Sequence, residues 1–423
     1  MIFKHKYYLI WMFLGLLLSQ LVSCQPAASP ELEFWTMQLQ PQFTQYFNEV
    51  ITNFEKENPD LKVRWVDVPW TAMESKILTA VSANTPPDVV NLNPNFASSL
   101  APRNAWLNLN TELSPETKSR YLPKIWQAST IDDVTFGIPW YLTTRVTIYN
   151  QDLLAQAGFN QPPTTYSDLT EFARIIQEKT GKYAFFVTFV PGDSGEVLES
   201  LVQMGVELVD TQGKAAFNTP TGVAAFQFWV SLYQQGLLPP EVLTSGHRHA
   251  IDLYQAGELV LLASGPEMLK TIQNNAPSIY SVSATAPQIT GATGKKNVAV
   301  MNLVIPNQST RSDQALNFAL FVTNTENQLA FAQVANVLPS TVDGVKQFLE
   351  QLQQKPNPTP QELAQIVSAS QLETAEVLVP AFDNINRFQS IIYEHLQAAM
   401  LGEKTVEQAV EDAANEWNEM AES

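Results

Sequence analysis

The sequence predicts an α/β protein of two or more domains, built on parallel sheet covered by helices, and three observations carry that expectation. Strand-like and helix-like segments alternate from Glu31 onward, the order that gives a parallel sheet buried on both faces. At 423 residues the chain exceeds what one core normally organises. Its apolar share of 45% and aromatic share of 10%, with nine tryptophans, suffice to fill sizeable cores.

The first thirty residues precede that pattern. Lys4 and Lys6 open a basic start, an apolar stretch runs from Tyr7 to Val22, and small residues lead to Cys24, the one cysteine of the chain. This is the composition of a secretory signal, here residues 1–23, and the run falls short of the roughly 20 apolar residues a membrane span prefers. The tetrad Leu21-Val22-Ser23-Cys24 resembles a bacterial lipobox, which implies that Cys24 is acylated and becomes the new N-terminus. Residues 24–30, Cys24-Gln25-Pro26-Ala27-Ala28-Ser29-Pro30, read as an extended tether. No disulfide can form within the chain, so packed cores must supply its stability.

The elements follow in order. Leu32–Thr36 reads as a strand, and Phe43–Asn58 repeats Phe43, Phe47, Val50, Ile51 and Phe54 at helical spacing until Pro59 stops it. Leu61–Val66 is a second strand, Met73–Asn84 a second helix, and Asp88–Leu92 a third, largely apolar strand. Ligands in such sheets bind beyond the carboxyl ends of the strands. The first site candidates are therefore Thr36–Gln38, Asp67–Trp70 and Asn93–Asn95. A second unit opens after Gly137-Ile138-Pro139-Trp140, with a strand at Val146–Asn150, a short helix at Gln151–Ala157 and a helix at Ser167–Lys179 whose start carries a capping pattern. Tyr183–Val190 reads as a buried strand, Gly222–Gln235 as a helix, and Val260–Ala263 and Val298–Ile305 as strands. Helices follow at Ser312–Val322 and Glu326–Val334. After the proline-rich break Lys355–Pro360, residues 361–423 look almost wholly helical.

Charge narrows the partners. Losing Lys4 and Lys6 with the signal takes the formal net charge from −18 to −20, and an acidic surface does not suit phosphate backbones. Solubility is the simplest account of the charge. Catalytic patterns are missing: there is no Gly-x-Ser-x-Gly, His-Glu-x-x-His or P-loop sequence, and only four histidines. His247-Arg248-His249 lacks further metal ligands and reads as a solvated loop. No metal, cofactor or catalytic residue is expected.

Several blocks together resemble the family 1 bacterial extracellular solute-binding proteins, the capture subunits of sugar-importing ABC transporters. They are Pro87-Asp88-Val89-Val90; Gly137-Ile138-Pro139-Trp140 with Arg145, Tyr149–Leu154, Ala157-Gly158 and Pro162–Tyr166; Tyr254–Glu258 running to Ser264-Gly265-Pro266; Ala315–Pro339; and Gly402–Ala409. The likeness spans nearly all of Glu31–Met420. It implies a two-lobed periplasmic-binding-protein-like fold, each lobe a mainly parallel sheet flanked by helices, with a helical C-terminus and a ligand held in the cleft by hinge closure. Crossings are placed near Trp140–Thr144, near Val298–Asn302 and after Pro339. Lobe 1 would then comprise 31–140 and 301–340, and lobe 2 would comprise 141–300 and 341–423.

A sugar site needs aromatic faces for stacking and paired polar groups for hydroxyls. Trp35, Trp70, Trp140 and Tyr141 are the candidate faces, whereas Trp126 and Trp229 sit among apolar helical neighbours and read as core. Gln38, Asp67, Asn93, Asn95 and Asn302 would contribute polar contacts from the first lobe, and Asp193, Ser194, Glu267 and Arg387 from the second. Glu267 departs from the family, where tryptophan often follows the Gly-Pro pair. The expectation is a monomeric, lipid-anchored, extracytoplasmic receptor that binds a mono- or oligosaccharide and passes it to a membrane permease. The alternatives are a polyol or compatible solute, glycerol phosphate or a polyamine on the same fold, or a secreted glycan-processing enzyme.

Overall fold

The computed structural model describes residues 31–100, 103–131, 133–380, 382 and 384–421. The signal, Cys24 and the tether lie outside them. Among the described residues no helix is long and apolar enough to cross a membrane.

The first sheet begins with three parallel strands, β1 (Glu31–Met37), β2 (Lys62–Val68) and β3 (Val89–Leu92). Between them run α1 (Thr44–Glu57) and α2 (Trp70–Ser82), whose apolar stripes bury Phe47, Val50 and Phe54 on one face of the sheet and Met73, Ile77 and Val81 on the other. Two later strands, β4 (Gly137–Thr144) and β8 (Lys296–Val304), complete the centre and run antiparallel: β8 pairs with β3 on one side and β4 on the other. The order is β9-β4-β8-β3-β1-β2, where β9 is Leu338–Pro339, and a short β10 (Ala375–Glu376) adds to the start of β8. The helices α8 (Ser312–Val322) and α9 (Thr325–Ala335) pack Phe318 and Phe331 against Phe34, Phe47 and Trp140.

The second sheet is smaller. It has β5 (Val146–Asn150) at its centre, with β6 (Leu261–Ser264) and β7 (Ser283–Pro287) on its two sides. Around it lie α3 (Tyr166–Thr180), α4 (Glu196–Gln203), α5 (Pro220–Gln234), α6 (His247–Gln255) and α7 (Met268–Asn275). One apolar cluster joins them from Val146 to Trp417, because the last two helices, α12 (Ile385–Met400) and α13 (Val406–Ala421), fold back onto this lobe through Phe388, Tyr393 and Trp417. Two further helices, α10 (Val342–Gln353) and α11 (Pro360–Ser370), bury Phe348, Leu352 and Ala369 against Leu142 and Val298 of the strands that join the lobes.

The two-lobed α/β architecture is as expected, with four differences of detail. The first sheet is mixed rather than mainly parallel, and both pairings of the second are antiparallel. Alternating strands and helices yield parallel strands only when each connection crosses back to the edge where the preceding strand began, and the long excursion from β5 to β6 instead returns to the edge it left. The segment 183–190 is buried but is not a strand. Tyr183 and Ala184 make ladder bonds to Glu258, Val260 and Leu261, after which Phe189 bonds to Val242 instead. A short apolar run records burial without recording pairing. Helix α3 begins one residue earlier than its Ser167 pattern suggested, and Thr165 at its start makes no side-chain cap. Finally, a non-helical stretch carrying β10 separates α11 from α12, so the C-terminal region is helical with an interruption.

Candidate cleft between the two sheets

The registers show which edges face each other. β1, β2 and β3 are parallel and Met37 pairs with Val68, so their carboxyl ends share one edge. Leu92 pairs with Asn302 and Met301 with Tyr141, which puts the middles of β8 and β4 at that same edge. Both strands then run on past it, Val298 pairing with Thr144, and β4 passes through one residue, Arg145, into β5. The carboxyl edge of the first sheet therefore faces the second lobe. In the second sheet Val146 pairs with both Ser264 and Pro287, so Gly265-Pro266-Glu267 and Gln288 emerge at the edge that looks back.

The joining segments are held by buried amides. Gln371, 4% exposed, donates to Thr144 Oγ1 at 3.2 Å and to the Arg145 carbonyl at 3.1 Å, and accepts from the Gln288 backbone at 2.7 Å. Gln288 in turn accepts from the Asn297 backbone at 2.9 Å, and Thr144 shares a 2.8 Å hydroxyl contact with Ser368. One side chain thus bridges three stretches of chain that pass between the lobes.

On the first-lobe edge, Trp70 opens α2 and is 41% exposed, with its ring 5.7 Å from Phe96. Asn93 caps the short helix Pro94–Ser98 by accepting from Phe96 N at 2.8 Å, and Asn95 is exposed beside it. Gln38 is exposed in a left-handed turn, its backbone tied to Val68 at 3.0 Å. Tyr141 is half-buried; burial and then the nearby Asp67 carboxylate push its phenol above the ordinary range.

Five sequence candidates are committed elsewhere. Trp35 is buried, donates to Glu33 at 2.5 Å, and has Lys76 Nζ 4.2 Å above its ring. Trp140 is fully buried and stacks on Phe331, ring to ring at 5.1 Å. Strand alternation points it into the core where its neighbour Tyr141 points out. Asn302 is also fully buried and accepts from Ser129 Oγ at 2.6 Å. Both oxygens of Asp67 hold the turn after β1, accepting from Thr36 Oγ1 and from the Leu39 and Gln40 backbones. Arg387 pairs with Glu416 of α13 at 2.5 Å and with Glu394 at 3.5 Å.

The second-lobe edge collects a charged cluster. Arg145 lies 3.2 Å from Glu199 and 3.7 Å from Glu196, both on α4 and both nearly buried, and donates to Ser194 Oγ at 3.3 Å. The Ser194 carbonyl accepts from Gln389 at 2.7 Å and Tyr393 at 2.5 Å of α12. Asp193 accepts from the His247 backbone at the start of α6, so His247 belongs to a half-buried helix end and not to a solvated loop. Burial works against every charge here. For Arg145 the carboxylates of Glu199 and Glu196 outweigh it and drive the guanidinium pKa up. For Glu196, Arg145 and then His247 win, and the carboxyl is lowered. Glu199 stays raised by burial with Glu196 repelling it, and Glu267, accessible but crowded in the concavity, is raised by desolvation. Arg145, Glu196 and Glu199 were not read as site residues. The available signal was an acid pair at i, i+3 within the apolar sequence Glu196-Val197-Leu198-Glu199, which places charge on a buried helix face.

A lobe on a mixed sheet and a lobe on an antiparallel sheet, crossed by two adjoining strands and meeting at edges where side chains converge, give the architecture of a solute-binding protein. The chain belongs to the family of bacterial extracellular solute-binding proteins, whose profile it matches over residues 40–329. The members of that family are binding proteins and not enzymes. A solved structure from Synechococcus sp. MITs9220, provisionally assigned as a periplasmic oligosaccharide-binding protein, is 47% identical, with a TM-score of 0.86 over 92% of this chain and 99% of that one. The cyclic alpha-maltosyl-1,6-maltose binding protein of Arthrobacter globiformis shares the fold, with a TM-score of 0.79 at 21% identity over 93% of this chain and 99% of that one. An arabinooligosaccharide-binding protein of Halalkalibacterium halodurans is 24% identical over 70% of this chain and 68% of its own.

Proposed function

We propose that this chain is the lipid-anchored receptor of an ABC importer, that it captures a saccharide between lobes made of 31–140 with 301–340 and 141–300 with 341–423, and that it delivers the saccharide to the permease. The observation that carries the reading is the pairing of an exposed Trp70–Phe96 face on one edge with a dense polar cluster on the other. Aromatic faces stack on the C–H side of a sugar, and fixed polar groups select its hydroxyls. The names of the related proteins support the class of ligand.

A thermal-shift screen of residues 24–423 against mono- and oligosaccharides, polyols, glycerol phosphate and polyamines tests it, since a ligand that binds only the folded state raises the melting temperature. A saccharide is expected to give the largest shift, and Trp70→Ala is expected to weaken its binding by about tenfold or more, a hot-spot aromatic being worth roughly 2 kcal/mol. If no saccharide shifts the melting point, the sugar assignment falls. The anchor is tested separately. Cys24→Ala should release the protein from the membrane and reduce uptake, because tethering raises its effective concentration near the importer, while leaving affinity in the soluble body unchanged. A drop in affinity would refute the separation of anchor from binding body.

A further inference from the structure

We propose that the second-lobe wall of the cleft contains a subsite for a cationic nitrogen, an ammonium group carried by the solute. The inference rests on the saccharide reading above and narrows it: the solute is a sugar bearing a free amine.

The first support is charge balance. Arg145 is met by Glu196 and Glu199, with Glu267 close enough to feel both Arg145 and His247, and with Asp193 bound to the backbone of His247. One guanidinium faces two nearly buried carboxyl groups, Glu196 and Glu199, with the His247 ring 3.6 Å from Glu196 and with Glu267 and Asp193 exposed beside them. Concentrating acids at low exposure is costly unless a cation joins them. Arg145 is hydrogen-bonded to Glu199 and Ser194 and reaches Glu196 only as a charge contact at 3.7 Å.

The second support is an unfilled acceptor. Glu196 is 9% exposed, and its Oε2 has no hydrogen-bond partner. His247 Nδ1 stands 3.6 Å from that oxygen, outside hydrogen-bond range, and is itself without a partner. Buried polar atoms are normally paired, so a buried carboxylate oxygen without a hydrogen bond marks a place for a donor.

The third support is the space. Glu196 and Glu199 line a cavity of about 60 Å³ that runs between the second sheet and its helices, with Tyr166, Phe186 and Trp229 in its walls and Gln288 of the joining segment at its border. The space is small, and in this reading it takes an ammonium with its carbon while the sugar ring stays outside it. Aromatic walls suit a cation, which is attracted to ring faces, and offer nothing comparable to a hydroxyl. A hydroxyl could bond Glu196 Oε2 but would leave the excess negative charge unchanged.

The test compares matched pairs on the unmodified 24–423 chain by calorimetry: glucosamine with glucose, galactosamine with galactose, 6-amino-6-deoxyglucose with glucose, and the deacetylated chitobiose disaccharide with cellobiose. Putrescine and spermidine provide amines without a ring. The expected result is that at least one amine-bearing sugar binds about tenfold or more tighter than its hydroxyl counterpart. Glu196→Gln should erase that preference, weakening the amine-bearing sugar by about tenfold more than its neutral partner. Should that variant fail to fold, Glu267→Gln at the accessible mouth is expected to reduce the preference. If neutral sugars bind as tightly as every amine-bearing partner, the subsite is wrong and the saccharide reading stands. If the polyamines bind and no sugar does, the subsite stands and the saccharide reading fails. If nothing in the panel binds, both are overturned.

Discussion

Replacing Trp140 with alanine is expected to destabilise the folded protein by about 3–5 kcal/mol, the usual cost of emptying a buried aromatic site. Trp140 is 0% exposed and is enclosed by Phe34, Phe47, Tyr141 and Phe331, with the last stacked on it at an interplanar angle of 19°. Alanine would leave a cavity whose walls belong to β1, α1 and α9, three elements that have little freedom to collapse together. Solute affinity of the folded fraction should not change, because no face of the indole reaches the cleft. Trp140→Phe should cost much less, since the indole Nε1 is buried without a hydrogen-bond partner and its loss removes no bond. Urea unfolding of the three proteins, combined with ligand titration of each, checks this. A stable Trp140→Ala protein with weakened sugar binding would return the residue to the cleft.

The same residue shows what a sequence does and does not disclose. Periodicity located β1, α1, β2, α2 and β3 to within a few residues, because half-buried helices and strands must repeat at 3.6 or 2. The topological rule then singled out the carboxyl edge of the first sheet, and Gln38, Trp70, Asn93 and Asn95 do lie along that edge. Which way a side chain points at that edge was harder. Trp140 and Tyr141 are neighbours with the same apparent chemistry, and only the pairing of β4 with β8 decides that one enters the core. Asp67 looked like a ligand because it follows a strand, yet the turn after β1 uses both of its oxygens. The charged cluster was least visible. Arg145 and Glu199 are 54 positions apart, and Gln371 reaches back to residues 144, 145 and 288. Such contacts have no local signature, since they depend on three passages of chain between the lobes arriving at one place.

Arg145→Met should produce a loss of similar size for an electrostatic reason. Its guanidinium is the cation that makes Glu196 and Glu199 tolerable at 10% and 11% side-chain exposure, and breaking a buried ion pair by removing one partner typically costs about 3–5 kcal/mol. The sign of the pH dependence follows from the protons. In the native protein Glu196 is lowered, so its contribution is present above the unfolded carboxylate pKa and is lost as pH falls through the folded value. Glu199 is raised, so it contributes stability at low pH that is lost as pH climbs through its folded value. Without Arg145 nothing of comparable strength lowers either group, and burial and mutual repulsion raise both. The folded variant then binds more protons than the unfolded chain, and its stability rises on acidification through the carboxylate range. The deficit relative to the native protein should therefore be larger at pH 8 than at pH 5, and Glu199→Gln on the Arg145→Met background should recover part of it by removing one of the stranded charges. Denaturation at the two pH values measures all of this directly. A deficit that grows toward acid pH, or a second substitution that deepens the loss, would mean that the cluster is not held together by its one guanidinium.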